Sequence, residues 1–218
     1  MHAWLDFVDV IRASLFSLAH VAHGSTGAAI LALSVLVRVA LLPLSAKVAV
    51  RNYQNSQKLL TLQPEIKRLQ DRHKGDPVRA AREVQALHKQ HGIQFMSRLA
   101  LFNAIVQMPL GLAVYRVITE NAARTGRFLF VADLARPSVI VTAIAATFSS
   151  LGILIMPTTT PTSRISGAIF ASLVTAFMVW RLASGVGLYW IGSSAVGAVQ
   201  SLIVRRIVVA KSKRNPAN

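Results

Sequence analysis

The chain has 218 residues, 53% of them hydrophobic and only 15% charged, with a positive mean hydropathy of +0.49. Lys and Arg outnumber Asp and Glu by 24 to 8, a formal net charge of +16, and there is no cysteine. A soluble domain carries about 25% charged residues and a disordered chain is poor in hydrophobics, so both classes are excluded, as are a disulfide framework, a thiol nucleophile, a cysteine metal site and a lipidated cysteine.

The first predicted element is an amphipathic helix within residues 1–23. Trp4, Phe7, Val8, Ile11, Leu15 and Leu18 recur at helical spacing, with Asp6, Asp9 and Arg12 off that stripe. The pattern suits a helix lying in the membrane surface, and the missing basic n-region argues against a cleavable signal peptide. A spanning helix needs about 20 mostly apolar residues. Five stretches come close to or meet that length, 27–45, 99–118, 138–156, 165–180 and 182–204. The expectation is an all-α polytopic membrane protein with a five-span core over 24–204.

Residues 46–98, between the first two spans, predict a helical hairpin. Leu59, Leu62, Ile66 and Leu69 form one apolar seam, and Pro64 is expected to break or kink that arm. Lys74-Gly75-Asp76-Pro77 reads as a turn with Asp76 as N-cap and Pro77 at the first position of a second arm, which runs to about His91 with Val84 and Leu87 as its weaker stripe. Glu65, Lys67, Arg68 and Arg72 give the first arm a charged face. The chain closes on a short basic tail, 205–218.

Residues 46–98 carry 11 Lys/Arg against 4 acids, and the tail carries 5 against none. The positive-inside rule places both in the cytoplasm, and five spans then give an N-out/C-in topology. A start without an Arg- and Ser-rich transit peptide favours the bacterial plasma membrane. Orientation accounts for the basic charge, so anionic lipids are expected partners and direct DNA binding is not.

Arg38 is the anomaly. It stands about twelve residues into the first span, and no Asp or Glu lies in any of the five spans. An arginine at a helix centre costs about 2.5–3.5 kcal/mol on insertion scales. Snorkelling would have to cover about 12 Å to the span's edge. A wet cavity where the guanidinium meets an acidic group from outside the chain is the better reading. Ser34 is one turn before Arg38, Asn103 and Gln107 share a face of the second span, and the last span offers Ser193, Ser194 and Gln200, with Tyr189 and Trp190 nearby. Singly each reads as interhelical glue or an interfacial aromatic; around an unpaired arginine they make a hydrophilic groove.

Four segments in order resemble the YidC/Oxa/Alb family of membrane protein insertases: SVLVRVALLPLSAK in the first span, LQPEIKRLQDRHKGDP in the hairpin, NAIVQMPLGLAVYRVI in the second span, and GVGLYWIGSSAVGAVQSLIVRR in the last. The resemblance covers residues 24 to about 206. One departure is HGIQFMSRLALF before the second span, which lacks the family's Pro- and Cys-containing cluster. The resemblance implies a positively charged groove, open to cytoplasm and lipid and closed outside, that helps nascent membrane proteins into the bilayer. The groove arginine carries over to Arg38 and the small polar residue one turn earlier to Ser34. The hairpin would receive substrate, and its basic face suggests a ribosome or Sec translocon as further partners.

Such a protein is expected not to be an enzyme and to need no cofactor. No phosphate-binding loop of the G-x-x-x-x-G-K-[ST] type occurs, the spans hold no His, Asp or Glu to act as base or metal ligand, and His88 and His91 lack a third ligand. The alternative is a small secondary transporter that binds an anionic solute at Arg38. It would call for pseudo-symmetric halves, and no repeat is visible.

Overall fold

A computed structural model describes residues 2–93, 98–121, 127–156 and 161–214, with seven α-helices among them: α1 (His2–Val21), α2 (Thr26–Arg72), α3 (Pro77–Gln90), α4 (Arg98–Asn121), α5 (Val139–Ile155), α6 (Pro161–Val179) and α7 (Ser184–Arg214). Among the described residues, three stretches are long and apolar enough to cross a membrane, in α2, in α4 at Leu101–Glu120, and in α7 at Ser184–Ala210; α5 and α6 are shorter apolar helices.

α1 buries the stripe its spacing foretells: Val8, Ile11 and Leu15 are buried. His23 and Gly24 then adopt positive φ values of 52° and 82°, and the Gly24 N–H reaches back to the Ala19 carbonyl at 2.8 Å. That left-handed stop turns the chain, and Ser25 caps the next helix by accepting from the Ala28 N–H.

α2 corrects the expected break at Pro64. The first span and the first arm of the hairpin are one continuous helix of 47 residues, running through both Pro43 and Pro64. At 1.5 Å per residue it is about 70 Å long. A proline deletes one backbone hydrogen bond, here to the carbonyls of Val39 and Leu60, and both prolines lie on exposed faces where no packed neighbour resists the local distortion.

The hairpin turn forms as its residues dictate. Asp76 caps α3 by accepting from the Arg79 N–H at 2.9 Å, with Pro77 opening the helix. Leu62 on the first arm and Ala80 and His88 on the second are buried, and a His73–Glu83 pair at 3.0 Å joins the two arms.

α6 packs on α5 and α5 on α7, and α7 lies between α5 and α2. Their approach depends on small residues. A Cβ at Gly187 would overlap Val141 of α5, and one at Gly192 would overlap the Ser34 hydroxyl of α2. The apolar core gathers at the end of the bundle where α1 sits. Val8 and Ile11 of α1 meet Ile30 of α2, Val114 and Ile118 of α4, Leu134 of the α4–α5 connection and Val186 of α7. That connection is latched to the start of α7, where the Ser184 and Gly185 N–H groups donate to the carbonyls of Arg136 and Leu134, each at 3.0 Å. Phe128 seats against Gly27, where a side chain could not fit.

Candidate functional site: an arginine between a sealed end and an open one

The bundle is packed unequally along its length. In the half of α4 near α1, Ala113, Val114, Val117 and Ile118 are buried. In the other half no described side chain from Leu101 to Leu112 is buried, and Leu101, Phe102, Ile105, Met108 and Leu112 are exposed. α4 is therefore joined to the bundle at the α1 end and stands away from it toward the hairpin.

Arg38 lies at the level where this packing gives out, about five residues past the last core residue of α2, Leu33. It is half-buried, and among the described residues it makes no ion pair and its Nε has no hydrogen-bond partner. Its guanidinium lies over Gly197 of α7, close enough that a Cβ there would stand 3.6 Å from Nη2, and Tyr189 is within electrostatic reach. Removing a cation partly from water without a carboxylate is costly. The arrangement holds a guanidinium beside a glycine and within electrostatic reach of a phenol.

The remaining residues divide into two sets. Tyr189, Ser193 and Gly197 follow one another at four-residue steps on α7, so Tyr189 and Ser193 share the face that carries the Arg38 contact; both are half-buried. Asn103 and Gln107 are half-buried on α4, the Gln107 amide donating to the Asn103 carbonyl oxygen at 3.2 Å.

The second set is engaged in helix packing. Ser34 is fully buried, donates to the Leu31 carbonyl at 2.7 Å and packs on Gly192. Trp190 turns to α5, its indole N–H donating to Ser149 Oγ at 3.3 Å, and Ser194 meets the same hydroxyl at 3.2 Å. Gln200 accepts from Ser45 at 2.8 Å, fastening α7 to α2. Ser45, Ser149, Gly192 and Gly197 carry these contacts and did not stand out in the sequence. The seven-residue spacing of Gly185 and Gly192 was the available signal for a close helix crossing.

Pro64, Glu65, Lys67, Arg68, Arg72, Asp76 and Pro77 are all exposed on the hairpin. Beside them a cleft of about 940 Å³ opens between the arms, lined in part by Gln70, His73, Lys74, Arg82 and Gln85.

Residues 17–212 match the family described as 60Kd inner membrane protein. The chain belongs to this family. Its similarity to a Clostridium tetani membrane protein insertase YidC is 27% identity over 212 residues, 94% of this chain and 93% of the relative. A Streptococcus pyogenes membrane protein insertase YidC 1 is 31% identical over 192 residues, 83% of this chain and 67% of the relative. The fold resembles an active YidC insertase crystal structure with the first transmembrane domain resolved, with a TM-score of 0.62 and 21% identity over 91% of this chain and 45% of that one. The family resemblance read from the four motifs is thus correct, and the protein is a polytopic helical protein of an inner-membrane family.

Proposed function

We propose that this 60Kd inner membrane protein family member inserts nascent membrane proteins into the bacterial plasma membrane, using the space beside Arg38 as a hydrophilic groove. The observation that carries the reading is the half-buried, unpaired Arg38 placed between a packed end and an open one. A hydrophilic, often acidic flank of a substrate enters from the hairpin side, where α4 stands apart, and is drawn to the guanidinium. Tyr189, Ser193, Asn103 and Gln107 offer further polar contacts. The substrate's apolar segment then leaves along exposed α4 into lipid. Burial of about 20 apolar residues drives the net reaction, so no nucleotide is required.

In this reading α1 is the 1–23 surface helix on the outer face, the five spans form the 24–204 core in N-out/C-in orientation, and the hairpin and the 205–218 tail meet the cytoplasm. Nascent chains, and through them a ribosome or Sec translocon, are the partners; the role involves no covalent chemistry.

The test is insertion of a single-span substrate with an acidic outer tail into liposomes, scored by protease protection of the tail. Wild type and Arg38→Lys are expected to insert it and Arg38→Ala to lose most of the activity. Equal insertion by all three would remove Arg38's charge from the mechanism; no gain over empty liposomes across several substrates would remove the insertase reading itself.

A further inference from the structure

A second polar feature of α2 faces away from Arg38. Lys47 is nine residues on, half a rotation around the helix, so the two cations point to opposite sides. On the Lys47 side the stripe reads Leu36, Val39, Pro43, Lys47, Arg51 and Gln54, at three- and four-residue steps. Its upper part is apolar and open, Leu36 being 56% and Val39 51% exposed. Its lower part is a cleft of about 460 Å³ between α2 and α7, where Lys47, Arg51 and Gln54 meet Pro43, Ala46, Val50 and Ile207. The level is fixed by the Ser45–Gln200 hydrogen bond, just past which α2 carries Lys47 and Arg51 and α7 carries Arg205 and Arg206. None of these four cations makes an ion pair among the described residues, and no acid occurs in the sequence from Val39 to Pro64 or after Asp133.

We propose that this cleft is a binding site for one anionic glycerophospholipid. Its phosphate pairs with Lys47 and Arg51, Gln54 donates to a headgroup oxygen, and its acyl chains rise along Pro43, Val39 and Leu36. Val39 is eight residues from Lys47, about 12 Å, so acyl carbons and phosphate meet matching surfaces at once. An apolar wall leading into paired cations, at the level where the apolar part of the helix ends, fits a lipid better than a free anion, which has no use for the wall. The site lies further along α2 than the Arg38 groove, past the Ser45–Gln200 contact, and does not depend on the insertase reading.

The protein in phosphatidylcholine micelles would be titrated with phosphatidylglycerol, and bound lipid counted by native mass spectrometry. Lys47→Gln/Arg51→Gln is expected to weaken the tightest-bound phosphatidylglycerol on the order of thirty-fold. Ala46→Phe, which keeps both charges and fills the cleft, is expected to displace it too. The control Lys58→Gln/Lys89→Gln changes the net charge equally at exposed positions and is expected to leave it in place. Equal occupancy in Ala46→Phe and wild type, or equal loss in the control, would overturn the site. So would displacement of the lipid by inorganic phosphate at comparable concentration, which would make it a free-anion site, or by single-stranded RNA, which would make it a nucleic-acid contact.

Discussion

The crossing of α2 and α7 makes a quantitative prediction. Gly192→Ala adds a methyl that would overlap the Ser34 hydroxyl and stand 3.2 Å from Ser34 Cβ and 3.5 Å from Leu31 Cδ2. Rotating Ser34 about χ1 relieves the hydroxyl overlap but leaves its Cβ where it is. Overfilling a packed interface costs about 1–3 kcal/mol, against up to about 1 kcal/mol gained because alanine favours helix over glycine. The net expectation is a loss of up to about 2 kcal/mol. Gly111→Ala supplies the control: no atom lies within 4 Å of the added methyl, so only the helix-forming gain remains. Ser34→Ala alone gives up a hydrogen bond made within its own helix and is expected to lose less than about 1 kcal/mol. Combined with Gly192→Ala it is expected to recover part of the loss, because it removes the overlapping hydroxyl while the Cβ contact stays. Stability would be read from unfolding in mixed dodecyl sulfate micelles, followed by far-UV circular dichroism. If Gly192→Ala is no less stable than Gly111→Ala, or the double variant is simply additive, the close crossing is wrong.

Two further outcomes are expected. A double-mutant cycle on Ser45→Ala and Gln200→Ala, measured in the same assay, is expected to return a coupling near 0.6 kcal/mol, the usual worth of an interhelical hydrogen bond in a membrane; no coupling would mean the 2.8 Å contact does not persist. Asp76→Ala is expected to cost about 1 kcal/mol locally, seen as faster amide exchange in the first turn of α3 with α2 unchanged; unchanged exchange at Arg79 would show that the side chain is not the cap.

What the sequence disclosed, and what it did not, follows from the physics of each signal. Apolar length and the Asp76-Pro77 turn depend on neighbouring residues alone, so the α5 stretch and the start of α3 were readable from spacing. The course of α2 was not. A proline's local preference argues for a break, whereas two exposed prolines in a long helix each forfeit a single hydrogen bond, which the surrounding turns tolerate. The polar residues near Arg38 divided for a different reason. Ser34 shares its side of α2 with Arg38 by helical angle, but the seam against α7 runs along that side, and only the distance from Gly192 reveals which of the two lies inside the seam. Tyr189 and Trp190 are adjacent in sequence and 100° apart around α7, so one shares the face of the Arg38 contact and the other bonds to α5. Helical periodicity locates faces; only the neighbouring helices determine what each face meets.

The unbroken α2 has a mechanical consequence. From Leu33, where α2 leaves the apolar core, it is about 12 Å back to Ser25 and about 59 Å on to Arg72, so the helix acts as a lever with arms in a ratio of roughly one to five. Its short arm is embedded in the apolar core beside α1, and its long arm carries the hairpin. With the core as fulcrum, Arg38 sits about 8 Å along the long arm, so a displacement of the exposed tip carries Arg38 the same way by roughly an eighth as much. One continuous helix thereby joins the hairpin to the charge inside the bundle, with Pro43 and Pro64 as the points between them where a missing backbone hydrogen bond lets it bend.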